Sequence, residues 1–278
     1  MRIGTTACAL LVALAGVSLA QSEYAREAAN EARNYGTAVR SCDMRWVLEA
    51  MYPPLRNTYA EMLVNRENPS AEAAAARRIM GLDKKAGETT TERLRREEEN
   101  RRRLAESNKA LLQRYVQMGE DMKKQGLKIE SYSIGTPTGE YVVTPANATA
   151  SSVHRAETAR RFREEGDNRT SNGSPEQPPR GQFSLTGETA DRSRIVIIPT
   201  TLVVSMPGPN GARTRVERKS YIYAVRDEII SDNGANRETK KNKWYLIDGN
   251  TNVGTLRTFF PDLPLYLDRP TCGERVLN

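Results

Sequence analysis

The 278-residue chain carries a single histidine, three cysteines and, beyond its first residues, no long apolar run. Each scarcity excludes something. A lone His154 leaves no Ser–His or Cys–His pair for nucleophilic catalysis. Zinc sites need four convergent ligands, and none are spaced for one here. No glycine-rich loop is built to cradle phosphate, because Gly208 and Gly211 surround Pro209 and read as a hairpin turn. No segment after the start is apolar enough to span a bilayer, which takes roughly 20 residues. Neither a metal nor another cofactor is expected, and no catalytic motif is visible.

The start is the clearest signal present. Arg2 precedes an apolar run from Ala7 to Val17, and Ser18, Leu19 and Ala20 form a small-x-small site ahead of Gln21. A basic start, a short apolar core and such a site are what export machinery and its peptidase read. Residues 1–20 are therefore expected to be a cleaved signal peptide, and the protein secreted or periplasmic, with no transmembrane anchor. Cleavage removes Arg2 and Cys8, leaving 41 basic against 35 acidic residues, a formal +6. Excess positive charge favours anionic partners. The two remaining cysteines, Cys42 and Cys272, are bound for an oxidising compartment, where thiols pair, so a disulfide between them is expected.

Helical periodicity fills the next stretch. Ala25, Ala28, Ala32, Tyr35 and Val39 alternate at steps of three and four, Asp43 is placed to cap a second helix, and Pro53 with Pro54 ends it and opens a third. A long charged helix begins near Thr91, where Glu92, Glu97, Glu98 and Glu99 each precede an arginine by four residues. Such pairs contribute about 0.2–0.5 kcal/mol each. Leu104, Leu111, Tyr115, Met118 and Met122 follow as a seven-residue seam with Asn108 in one slot. That seam either packs on its own domain or supports a homodimer. Gly126 supplies the left-handed stop.

Strand patterns appear at Leu127 to Ile134 and Tyr141 to Val143, then at Ile195 to Met206, Thr214 to Asp227 and Lys243 to Asp248, before a last helical turn at Thr255 to Phe260. Strands joined by turns without helices between them pair antiparallel. Ile195 to Ile198 is apolar on both faces, which predicts a central or helix-covered position. From Thr144 to Arg192 large apolar residues nearly vanish, so ordering entropy cannot be offset by burial. The chain thus divides into the signal (1–20), a helical part with the first strands (21–143) that includes a charged helical insertion at about 65–103, a polar disordered insertion (144–192), the remaining antiparallel strands and last helical turn (193–267), and a C-terminal tail (268–278).

The segments VLEAMYPPL (Val47 to Leu55), GLKIESYSIG (Gly126 to Gly135), IPTTLVVSMPG (Ile198 to Gly208), SYIYAV (Ser220 to Val225), KWYLIDGN (Lys243 to Asn250) and LRTFFPDLP (Leu256 to Pro264) carry a resemblance. Their order resembles the cone-shaped α+β fold of the nuclear transport factor two-like superfamily, and more closely a group of uncharacterised exported bacterial proteins within it. The resemblance implies N-terminal helices packed on a bent antiparallel sheet, with a long projecting helix and the polar insertion added. It implies no reaction.

In a cone-shaped fold the sheet curls around an apolar cavity, and by analogy Asp248 and Tyr52 are the candidate carboxylate and hydrogen-bond donor. Tyr221, Tyr223 and Trp244 join them as cavity candidates. The bland alternatives are a turn residue for Asp248, beside Gly249 and Asn250, and core packing for the aromatics. Three functions stay open. The first is a non-catalytic envelope binding or assembly module for an unknown protein or small apolar ligand. The second is a small-molecule isomerase or dehydratase-type enzyme using a cavity carboxylate. The third is anionic polymer binding by the basic helix, whose interleaved glutamates weaken its field and disfavour nucleic acid.

Overall fold

A computed structural model describes residues 22–82, 89–146, 190–208, 211–232 and 237–277. The expected signal peptide and most of the expected disordered insertion, His154 included, lie outside the described residues. Helix α1 (Glu23–Arg40) starts at Ser22, whose hydroxyl accepts the Ala25 amide. Asp43 caps α2 (Met44–Ala50) by accepting the Trp46 amide at 3.1 Å. Helix α3 (Pro53–Asn65) opens on its proline pair, whose fixed φ and missing N–H suit a first turn. A short 3-10 turn (Pro69–Ala71) leads into α4 (Glu72–Ile79). A capping box of Thr89 and Glu92 begins α5 (Thr90–Lys124), and Gly126, at φ 68°, ends it. Among the described residues no helix is long and apolar enough to cross a membrane.

Seven strands form one open antiparallel sheet. Its axis is the hairpin of β3 (Arg192–Pro207) and β4 (Arg213–Asp232), registered without a break from Arg192↔Glu228 to Pro207↔Arg213. Two short strands, β1 (Lys128–Ile134) and β2 (Gly139–Val143), lie end to end along β3. On the far edge of β4 sit β5 (Arg237–Lys241), β6 (Tyr245–Asp248) and, after helix α6 (Val253–Phe259), β7 (Gly273–Leu277). Pro199 explains why β1 and β2 are separate. It has no N–H to offer the neighbouring strand, and the chain breaks there into the Gly135 to Thr138 connection, with the Gly135 amide donating to the Pro199 carbonyl at 2.8 Å.

Helices cover both faces of the central hairpin, as the doubly apolar Ile195 to Ile198 run predicts. Ile195, Ile197, Tyr221, Tyr223 and Val225 face Tyr52, Leu55, Ala76, Leu256, Phe259 and Phe260 from α3, α4 and α6. Val196, Ile198, Ile222 and Ala224 face Ala25, Ala28 and Ala32 of α1, with Trp244 and Leu246 beside them. A third cluster of Leu48, Ala60 and Leu111 joins α2, α3 and α5, so this part of the heptad seam packs on its own chain. There the Asn108 side-chain amide donates to the Asn57 side-chain oxygen at 2.9 Å. Within the expected charged insertion, α4 belongs to the main core: Ala75 and Ala76 are buried, and Arg78 reaches Glu61 and Glu67, each at 2.7 Å.

The expected Cys42–Cys272 disulfide is corrected. Both are free thiols, Cys42 buried and Cys272 exposed. The physical reason is that the tail is held elsewhere. Asp268 takes the Thr138 hydroxyl on its carbonyl at 2.6 Å and donates its amide to the Tyr141 hydroxyl at 2.9 Å. Strand β7 then pairs with β4 from Lys219↔Gly273 to Arg215↔Leu277. Cys42 meanwhile turns left-handed (φ 54°) between α1 and α2, its carbonyl against Gly119 of α5.

Candidate functional site

The five residues singled out from the sequence do not converge on one cavity. Strand alternation separates them: Tyr221 and Tyr223 point to the α3 side with Tyr52, whereas Trp244 points to the α1 side. Tyr52 follows α2, where its amide donates to the Leu246 carbonyl at 3.0 Å. Its ring packs on Tyr245, Phe259 and Phe260 at centroid separations of 6.3, 5.8 and 5.5 Å. Only 2 % of Tyr52 is exposed, and burial drives its phenol well above the ordinary value, with Asp227 adding to the push. Tyr221 and Tyr223 meet edge to face at 5.4 Å. Arg269 of the tail bonds both hydroxyls, and its guanidinium is held protonated more firmly by them. These rings are interior structure.

Asp248 ends β6 and accepts the Asn250 amide at 2.7 Å, while the Gly249 amide donates to the Tyr221 carbonyl at 2.9 Å. That is the turn geometry expected of Asp before Gly. The same residue borders a small cleft with Tyr35, Val47, Met51, Leu55 and Tyr59. Burial raises the phenols of Tyr35, Tyr59, Tyr115 and Tyr132, and the charge of Asp248 adds to each shift. Phenols pushed this way stay neutral near pH 7 and serve as hydrogen-bonding and apolar wall. The cleft holds about 40 Å³. Sites for organic ligands run to roughly 300–1,000 Å³. Space here suffices for water, not a substrate.

Two charged constellations were not legible from motifs. The first is a carboxylate on the α3 side. Asp227 accepts the Ser193 hydroxyl at 2.5 Å across the β3–β4 pair, and burial pushes its carboxyl up to about 6 despite that bond. The second lies on the α1 side at the same end of the sheet. Arg226, 4 % exposed, donates to Glu27 of α1 at 2.6 Å and stacks 4.5 Å from Trp244, whose indole N–H reaches the same carboxylate at 3.4 Å. Fully buried Glu228 receives Arg192 at 2.5 Å and Arg194 at 3.0 Å, and the Arg194 guanidinium lies 3.7 Å over the Tyr24 ring. Burial raises Glu27 and Glu228, but their arginine bonds outweigh it and hold both below the ordinary value. The only signal in the sequence was alternation: Arg192 and Arg194, then Arg226 and Glu228, fall on one face of strands that read as central.

On the long helix, Arg102 pairs with Glu98 at 3.2 Å as the four-residue spacing predicts, but Arg103 turns to Glu61 of α3 at 3.8 Å. Among the described residues no cluster of three His, Cys, Asp or Glu side chains is arranged to hold a metal. No family model, no curated protein and no solved structure matches this chain.

Proposed function

We infer that the protein is an exported, non-catalytic binding or assembly module of a bacterial cell envelope, acting through its outer surfaces. The observation that carries this reading is the filled interior. Tyr52, Phe259 and Phe260 pack ring against ring in the core between the sheet and its helices, and the cleft beside Asp248 is about 40 Å³. Export rests on the tripartite start, and the cone-like sheet with its long helix projecting from it rests on the order of the quoted segments.

The enzymatic alternative has one observation in its favour, the raised carboxyl of Asp227. Perturbed carboxylates mark active sites when they face a cleft. Asp227 instead sits against Ser193 and near the buried phenol of Tyr52 and the half-buried one of Tyr245, so burial alone accounts for it. Polymer binding by the long helix is weakened by the pairing of Arg102 and Arg103 with carboxylates. N-terminal sequencing of protein recovered from the envelope fraction tests the export half: Gln21 as first residue agrees, and Met1 or a purely cytosolic chain contradicts it.

A further inference from the structure

A second open groove lies between α1 and β1. It holds about 330 Å³ and is lined by Arg33, Gly36, Thr37 and Arg40 of the helix and by Tyr132, Ser133 and Ile134 of the strand. That volume falls within the range of organic-ligand sites. Gly36 lets the Tyr132 ring seat against the helix at the groove: a Cβ there would stand 2.2 Å from that ring.

The charge lining this groove is of one sign. Arg78, Arg192, Arg194, Arg215, Arg226 and Arg275 each meet a carboxylate. Among the described residues Arg33 bonds the Asn30 side-chain carbonyl and no carboxylate, Arg40 has no ion pair, and the lining contains no acidic side chain. Seven residues of helix separate the two by about 10.5 Å along the axis and return them to nearly the same face. Both side chains therefore leave the helix on the groove side, to either side of Thr37. Paired arginine forks suit a tetrahedral oxyanion, which offers several acceptor oxygens at once.

We propose that the α1–β1 groove binds a phosphate ester, with Arg33 and Arg40 on the phosphate and the organic part against Tyr132 and Ile134. A soluble phosphate ester and an anionic lipid headgroup share this chemistry. The test uses the chain beginning at Gln21 at low ionic strength, with two probes: glycerol 3-phosphate by calorimetry, and vesicles of phosphatidylglycerol in phosphatidylcholine by sedimentation, against phosphatidylcholine alone. The wild type is expected to bind saturably in at least one arm, and the responding arm identifies the source. Arg33→Gln/Arg40→Gln should weaken that binding about tenfold or more, since charge-assisted bonds are lost. Lys109→Gln/Lys123→Gln, which removes the same net charge from exposed positions of α5, should leave it within about twofold. Absence of saturable binding in both arms, or equal loss in both double variants, overturns the proposal. Either failure leaves the filled interior on the α3 side untouched.

Discussion

Asp227 is the residue whose environment most directly sets a pH dependence. Its carboxyl titrates near 6 when folded, against an ordinary 3.8. Above pH 6 the folded chain must hold a buried negative charge that the unfolded chain holds freely, which costs about 2–3 kcal/mol. As pH falls through about 6 the folded state takes up the proton first, so this contribution improves until the ordinary carboxyl value is reached. Asp227→Asn should therefore raise stability at pH 7 by roughly 2 kcal/mol in urea melts and lose the advantage near pH 4. Glu27 shifts the opposite way. Its contribution is present above the ordinary carboxylate value and is lost as pH drops below it. Arg226→Met, which strands Glu27 beside Trp244, should cost about 3 kcal/mol at pH 7, at the low end for a buried pair because Glu27 is partly exposed. The thiols give a third check: a membrane-impermeant maleimide should label Cys272 at once and Cys42 only on unfolding.

At the scale of elements, the contact between α3 and α5 hangs on a polar pair inside an apolar seam. Asn108 →Leu would remove the donor that satisfies buried Asn57 and should destabilise by about 1–3 kcal/mol. The double change with Asn57→Leu should cost less than the sum of the single changes, measured as a coupling in a thermal-melt cycle. Elements whose apolar period was strong were legible from sequence: α1 by its alanine stripe, α2 by Asp43, the stop at Gly126, and β3 by its doubly apolar centre. Two strands were not. Arg237–Lys241 has no apolar alternation, and Gly273–Leu277 is mostly exposed, so both pair through backbone bonds that leave little pattern in side chains. The stretch around Glu72–Ile79 was expected to be helical, but its burial was hidden for a related reason, since buried alanines between charged residues look like a solvated surface.

At the scale of the whole molecule, the α+β class with an antiparallel sheet followed from sequence because helix and strand periods differ and the strands are linked without helices. The site did not follow, because strand alternation sends Trp244 and Tyr52 to opposite sides, and no spacing in the sequence shows which aromatic rings fill the interior. The disulfide expectation failed at this scale too. Compartment and cysteine count argue for pairing, but where a tail docks is decided by backbone edges such as that of β4. Native mass spectrometry of protein released gently from the envelope tests export and the filled interior together. The expected mass is that of residues 21–278 with no apolar molecule retained. An apolar ligand that stays bound until the chain unfolds, or a mass that includes Met1 to Ala20, would contradict both.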